Sequence, residues 1–287
     1  MHDPKANETL GERLALPLWV MWGGLLFGGM VLAGYSRFDS DPFLKATRLA
    51  SSLVLVMTGF VVLSGNRFPR AVWPLLMLAL GMTLGFLGDI SNSGLLITDP
   101  KSATMGGIAT FAVGHVLYMA ACLWICRHQR LGSAPVWIGS MIFWQCAGLL
   151  GWWLVIYQHP PLTAVHWAAL PYCLLLAGTA GMTTALAIQD RRYFWLGLGG
   201  ALFLASDLVL AIQLFRDDIN IADQLIRTTG LTSPTGQHFC SQVSRHACWL
   251  LYGPAQMLII FSGLSLLGVE KSPRRELLEG PVTSTPA

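Results

Sequence analysis

Two aspartates stand inside long apolar stretches, where a carboxyl group is costly. Asp89 lies in LGMTLGFLGDI (80–90) and Asp207 in GGALFLASDLVLA (199–211). An acid near the centre of a membrane helix costs roughly 2.5–3.5 kcal/mol on insertion scales. An intramembrane acid is a functional candidate by default, so we predict that both carboxyl groups serve the function of the protein. The alternative is a structural role as a hydrogen-bond partner of a neighbouring helix.

Other polar side chains share helical faces in neighbouring apolar segments. His115 and Tyr118 share a face in FAVGHVLYMAAC (111–122), and Tyr252 and Gln256 share one in CWLLYGPAQMLI (248–259). Two cations, Lys45 and Arg48, stand where another apolar segment begins, and Asn92 follows Asp89. Structural alternatives are hydrogen-bonded packing for the neutral groups and snorkelling to the membrane interface for the two cations.

The composition is typical of a polytopic membrane protein. Hydrophobic residues make up 54% of the 287 residues and charged residues only 11%, whereas a soluble domain carries about 25% charged residues. Eight apolar segments are each long enough to cross a bilayer at about 20 residues. We therefore predict an all-α bundle of eight transmembrane helices, at 14–34, 46–64, 71–90, 104–126, 134–157, 166–188, 194–215 and 247–268.

The distribution of basic residues predicts an orientation. With eight spans both termini share a side, and that side holds 11 of the 18 Lys and Arg residues. The positive-inside rule then places both termini in the cytoplasm. We expect a cytoplasmic N-terminus at 1–13, a catalytic membrane domain at 14–268 and a disordered cytoplasmic tail at 269–287, in the bacterial inner membrane. The formal net charge of +3 gives no reason to expect nucleic acid binding.

The segments around the two aspartates resemble each other. At an offset of 118 residues, Leu80, Gly81, Leu84 and Asp89 align with Leu198, Gly199, Leu202 and Asp207. Four spans separate the two segments, so both run in the same direction. This pattern favours two parallel four-helix repeats, although short Leu- and Gly-rich matches also arise by chance.

The cysteines predict no metal site. Cys122 and Cys126 lie four residues apart, without the further Cys or His ligands that zinc needs. Cys240 and Cys248 flank the end of a loop predicted at about 216–246, and a disulfide between them is left open.

Four motifs in this order resemble the YhhN-like lysoplasmalogenase family. They are LGDISNSGLL (87–96), FAVGHVLYMAA (111–121), GGALFLASDLVLA (199–211) and LYGPAQMLIIFSG (251–263), and Lys45 also resembles a lysine of relatives. The resemblance implies hydrolysis of the vinyl ether bond of lysoplasmalogens to a fatty aldehyde and a glycerophospho-alcohol. It implies Asp89 and Asp207 as the catalytic pair. The residues after Ile90 depart from the more apolar run of the family, which leaves the headgroup open.

The implied reaction suits two carboxyl groups. Protonation of the alkene carbon gives an oxocarbenium ion, which glycosidases handle with one acid and one base. Burial favours a neutral carboxyl group, so we assign Asp207 as general acid and Asp89 as base or stabiliser, with the reverse assignment open. We expect substrate binding or orientation from Lys45, Asn92, His115, Tyr118, Tyr252 and Gln256, with Lys45 or Arg48 on the phosphate.

The expected partners are a lysophospholipid substrate and membrane lipid, and no metal or cofactor is expected. Two other functions stay open at this point. One is a zinc-dependent lipid hydrolase with His115, Asp89, Asp207 and His246 as ligands. The other is a proton-coupled transporter, because paired intramembrane acids also suit proton relays.

Overall fold

The computed structural model describes residues 10–35, 40–66, 71–158, 162–215, 221–230 and 234–269. Within these residues the chain is helical and contains no strand, which confirms the all-α prediction. The helices are α1 (Leu10–Gly23), α2 (Gly29–Tyr35), α3 (Ser40–Ser64), α4 (Val72–Asn92), α5 (Pro100–Gln129), α6 (Ala134–Trp152), α7 (Ala164–Gln189), α8 (Phe194–Phe215), α9 (Ile221–Thr229) and α10 (Pro234–Val269). A π-helical turn at Gly24–Gly28 joins α1 to α2, and another at Trp153–Tyr157 extends α6.

Six helices of the described chain are long and apolar enough to cross a membrane. They are Pro42–Ser64, Val72–Asn92, Pro100–Gln129, Ala134–Tyr157, Ala164–Gln189 and Arg191–Phe215. The first predicted span corresponds to a shorter apolar stretch, Leu16–Leu32, and the last forms the second half of α10. The chain is therefore a multi-pass membrane protein, while the number eight stays a prediction.

The region predicted as a loop at 216–246 is largely helical where the structure describes it. α9 packs on α10, and α10 begins at Pro234, thirteen residues before the predicted start at 247. The loop prediction was wrong because QHFCSQVSRHA is too polar to be recognised by hydropathy. Proline at the first helical position was the available signal.

The predicted tail at 269–287 lies, apart from Val269, outside the described residues, as does most of the N-terminal segment 1–13.

The continuous α10 excludes a disulfide between Cys240 and Cys248. Eight residues along one helix separate their backbones by about 12 Å, whereas disulfide-bonded Cα atoms lie within about 7 Å. Cys248 carries a free thiol.

The helix contacts of the first half recur in the second half. α1 packs on α3, α3 on α4 and α4 on α5, just as α6 packs on α7, α7 on α8 and α8 on α10. The halves meet reciprocally, because α5 packs on α7 and α10 packs on α3. Under this correspondence α4 and α8, which carry the two aspartates, are equivalent helices. The packing is what a duplication requires, and the duplication itself stays a prediction.

Glycines allow the closest helix approaches beside the aspartates. A Cβ atom on Gly114 would lie 3.0 Å from the backbone oxygen of Gly81, so α4 and α5 touch backbone to backbone. At the equivalent place, a Cβ atom on Gly199 would lie 3.1 Å from the backbone oxygen of Ala255, between α8 and α10. These contacts fix the two aspartate-bearing helices against the helices that carry the other polar groups.

Candidate active site

Asp89 and Asp207 line one cavity of about 570 Å³ inside the bundle. This volume lies in the range of small-molecule sites, roughly 300–1,000 Å³. The cavity is also lined by Tyr172 and Tyr252, and its walls are mostly apolar. Two carboxyl groups that are distant in the sequence therefore face one space.

The carboxyl group of Asp89 is buried, only 7% exposed. The Ser52 hydroxyl on α3 donates to Asp89 Oδ2 at 2.7 Å and also lies 3.3 Å from the amide oxygen of Gln256 on α10. The Gln256 amide nitrogen donates in turn to the Tyr252 hydroxyl at 2.5 Å. Ser52 therefore links Asp89 to the polar pair on α10.

Asp207 has different hydrogen-bond partners. The Tyr172 hydroxyl on α7 donates to Asp207 Oδ2 at 2.5 Å. The neighbouring Ser206 hydroxyl donates to Oδ1 at 3.2 Å and to the Phe203 carbonyl at 2.7 Å. Unequal surroundings give two carboxyl groups unequal proton affinities, which is the condition for one to act as acid and the other as base.

The polar end of the cavity carries the two predicted cations. Lys45, Arg48 and Asn92 all line it, and the exposed Lys45 ammonium donates to the Ser93 carbonyl at 3.2 Å. Arg48 lies 2.8 Å from His246 Nδ1 and 5.2 Å from the centre of the Trp249 ring. Positive charge is therefore concentrated at one end of the cavity, about one helical turn beyond Asp89.

Three of the predicted orienting residues do not line the cavity. His115 is buried, with Nδ1 3.1 Å from Thr179 Oγ1, and its ring packs edge-on against Tyr172 with centroids 6.1 Å apart. Tyr118 is buried with its hydroxyl 3.9 Å from the Met82 sulfur. Gln256 is buried and contacts the hydroxyl groups of Ser52 and Tyr252. His115 and Gln256 can therefore act on a substrate only through the residues they contact. Tyr252 lines the cavity and could contact a substrate directly.

Sequence reasoning missed Ser52 and Tyr172, which are direct partners of the two acids. Neither stands out by type, because Ser and Tyr are common in membrane helices. An available signal was that Ser51–Ser52 and Tyr172 are polar interruptions in the helices that precede α4 and α8.

The four ligands proposed for zinc do not gather. In the ranges that the structure describes, no group of three or more His, Cys, Asp or Glu side chains could hold a metal ion. His115 bonds to Thr179, and His246 faces Arg48.

An apolar arm extends from the acid pair between α6, α7 and α8. Gly148, Gly151, Leu204 and Leu208 are among its lining residues. The wall on the side of α3 is instead mainly Lys45 and Arg48, with Leu49 as its apolar member. The site therefore has a cationic mouth, two carboxyl groups and an apolar arm, arranged from one end to the other.

Comparison with known proteins identifies the family but no individual relative. Neither a curated protein nor a solved structure matches the chain. The family model described as the YhhN family matches residues 46–263, which include α4, α8 and nearly all of the cavity lining. The chain belongs to the YhhN family.

Proposed function

We propose that the protein is a lysoplasmalogenase, which hydrolyses the vinyl ether bond of a lysoplasmalogen by acid–base catalysis inside the membrane. Membership in the YhhN family is consistent with such a hydrolase. The observation that carries the proposal is the cavity itself. Asp89 and Asp207 face a mostly apolar space whose polar end holds Lys45 and Arg48.

The reaction needs one proton donor and one activated water. The alkene carbon that is not bonded to oxygen takes a proton, and positive charge develops over the other alkene carbon and the ether oxygen. Water attacks that charged carbon and loses a proton, giving a hemiacetal. The hemiacetal breaks its bond to the glycerol oxygen, which leaves as an alcohol, and the chain leaves as an aldehyde. One water is consumed, and the acid recovers its proton.

The order of groups along the cavity supports Asp207 as the acid. The carbon that is protonated lies on the chain side of the ether bond, and Asp207 lies on α8, which forms a wall of the apolar arm. The carbon that water attacks lies next to the glycerol oxygen, on the side of the cationic mouth. Asp89 lies nearer that mouth, so we assign it to orient the water and stabilise the oxocarbenium ion.

The cationic mouth suits the phosphate of the substrate. Arg48 is held between His246 and Trp249, while Lys45 is exposed and places its ammonium beside the Ser93 carbonyl. Asn92 lines the same end and offers an amide to the glycerol or headgroup. We propose that these three residues bind the polar part of the lipid.

The test is aldehyde release by purified protein in lipid nanodiscs, with ethanolamine and choline lysoplasmalogens as substrates. We expect aldehyde from the parent protein and a loss of at least about a hundredfold in Asp89→Asn and Asp207→Asn, the lower range for a general acid or base. Asp99→Asn is the matched control, because Asp99 lies outside the cavity at the start of α5. Full activity in either site variant contradicts the mechanism.

A folded parent that releases no aldehyde from either lipid contradicts the proposal as a whole. The proton-coupled transporter then becomes the better explanation, because repeated helix packing also occurs in carriers. Proton-dependent uptake of a lysophospholipid by sealed vesicles, abolished by Asp207→Asn, identifies that case.

A further inference from the structure

We propose that the apolar arm between α6, α7 and α8 is the binding site for one unbranched hydrocarbon chain, which enters from the bilayer between α6 and α8. This inference rests on the proposed function for the identity of the polar part of the lipid. The location and the number of chains come from the cavity alone.

Helix direction orders the lining residues of the arm by depth. α6 and α8 approach the mouth end with increasing residue number, whereas α7 leaves that end. The deepest lining residues are therefore Trp144 on α6, Leu176 on α7 and Ala201 on α8. Trp144 is fixed there by a hydrogen bond of 3.0 Å from its indole nitrogen to Thr184 Oγ1. These residues form a floor about two turns deeper than Asp207.

The lining accommodates a single chain. Most of its apolar residues lie on α6, α7 and α8, while the opposite wall carries Lys45, Arg48, Asp89 and Asn92 beside a few apolar residues, which are Leu49, Ile108, Phe111 and Trp249. A second hydrocarbon chain would have to lie against these charged and polar groups, at the cost of their desolvation. When a lipid with one chain is bound, the polar wall can contact the headgroup of the lipid and water.

Gly151 on α6 and Leu208 on α8 touch beside the arm. A Cβ atom on Gly151 would lie 3.1 Å from Leu208 Cδ1, and both residues line the arm. A larger side chain at 151 therefore has no free space and would enter the arm or displace Leu208. Leu208 and Leu214 line the cavity and are 38% and 49% exposed, so this side of α8 is left partly uncovered by the described helices. We place the entrance beside these two leucines, with Leu208 moving aside as the chain enters.

Photo-crosslinking locates the chain without requiring hydrolysis. The probe is a saturated ether lysophospholipid with a diazirine at the end of its chain, added to the protein in nanodiscs. We expect adducts near Trp144, Leu176 and Ala201. Excess unlabelled single-chain lipid should remove them, and a two-chain lipid with the same headgroup should not. Adducts confined to other helices, or adducts that a two-chain lipid removes equally well, overturn the proposal.

Variants on one helix then test the opening. Gly151→Leu should lower the displaceable labelling about tenfold, because several methylenes lose their buried contacts. Gly139→Leu is the matched control, since a Cβ atom there meets nothing within 4 Å on the same helix. Adding Leu208→Ala to Gly151→Leu should restore the labelling, because the smaller side chain at 208 makes room for the leucine at 151. Unchanged labelling in Gly151→Leu, or no restoration in a folded double variant, contradicts the proposed entrance.

The two proposals fail separately. Displaceable adducts in the arm without aldehyde release support the chain site and contradict vinyl ether hydrolysis. Aldehyde release without adducts in the arm supports hydrolysis and contradicts the chain site.

Discussion

Asp207 and Asp89 differ in the groups that hold them. Asp207 accepts a 2.5 Å hydrogen bond from Tyr172 on the adjacent helix, whereas Asp89 accepts one from Ser52 on α3, which also contacts Gln256 on α10. A hydroxyl donor both orients a carboxyl group and tunes how readily it gives up its proton. Tyr172 is thus the residue through which α7 positions the proposed acid.

Replacing Tyr172 by phenylalanine tests that role. We expect Tyr172→Phe to lower kcat about tenfold with a smaller change in KM, because a hydrogen bond to an ionisable group contributes roughly 1.5 kcal/mol. Tyr118→Phe is the control, since Tyr118 does not line the cavity and its hydroxyl approaches only the Met82 sulfur. Aldehyde release over a range of substrate concentrations measures both. Equal losses in the two variants would mean that Tyr172 is only a packing residue.

At the scale of single residues, the sequence singled out Asp89 and Asp207, but it did not reveal Ser52 and Tyr172 as their hydrogen-bond donors. A carboxyl group in an apolar helix carries a cost that identifies it, so Asp89 and Asp207 stand out without a structure. Ser52 and Tyr172 carry no such cost, and their roles follow only from how α3 meets α4 and α7 meets α8. His115 was expected to orient the acids, and that role stays a prediction. Its ring contacts Thr179 and Tyr172, and of these Tyr172 is the partner of Asp207.

Helix packing around the site depends on individual glycines. We expect Gly199→Leu to lower the midpoint of thermal unfolding clearly, because its Cβ atom would lie 2.9 Å from Ile259 Cγ1 and 3.1 Å from a backbone oxygen that cannot withdraw. Overpacking of this kind costs about 1–3 kcal/mol. Gly139→Leu places the same side chain where nothing lies within 4 Å and should change the midpoint little. Similar unfolding curves for the two variants would contradict the close approach of α8 and α10.

The turn between α7 and α8 is held by a charged cap. Asp190 accepts hydrogen bonds from the backbone and the guanidinium of Arg192, which lower the pKa of the Asp190 carboxyl below its ordinary value. Because the folded pKa is the lower one, the contribution to stability is present above about pH 4 and is lost as the pH falls through the folded pKa.

Asp190→Ala removes this cap and should lower the free energy of unfolding by about 1 kcal/mol at neutral pH. The difference from the parent should shrink as the pH falls below about 4, since protonation removes the same contacts in the parent. Thermal unfolding of both proteins over that pH range is the measurement. A difference that does not change with pH would assign the effect to something other than the carboxylate.

Hydropathy predicted the helices that are apolar along their whole length. All six helices that qualify as spans were predicted, most within four residues of their ends. The start of α10 was missed because the sequence of its first turns is too polar for a hydropathy window to recognise. The π-helical turns, including Gly24–Gly28, leave no mark in hydropathy.

The positive-inside rule predicts on which side of the membrane the cationic mouth of the cavity lies, and reporter fusions can test this prediction. We expect the end of the chain to lie in the cytoplasm and the connection between α4 and α5, beside the cationic mouth, to lie on the other side. Green fluorescent protein fused at the C-terminus should fluoresce, and alkaline phosphatase fused after Leu95 should be active. The reverse pattern would place the mouth in the cytoplasm and contradict the positive-inside assignment.

The sequence predicted only part of the way in which the two halves of the bundle pack together. The match between the segments of Asp89 and Asp207 predicted that α4 and α8 are equivalent. It did not predict that α5 packs on α7 while α10 packs on α3, which is how the two halves enclose one cavity. Contacts between the halves depend on close fits such as that of Gly178 on α7, where a Cβ atom would lie 3.0 Å from the Met119 sulfur on α5, and no short alignment reveals these fits.

The cavity has a polar mouth, and in our proposal it also opens to lipid beside Leu208 and Leu214. In the proposed reaction the bond that breaks lies between these openings, and the two products differ in the phase that dissolves them. The aldehyde keeps the chain and passes sideways into the bilayer, while the glycerophospho-alcohol passes through the mouth into water. Each product enters a different phase, so the release of one does not depend on the release of the other. Recombination is slow, because the aldehyde is in the bilayer and the alcohol is in water.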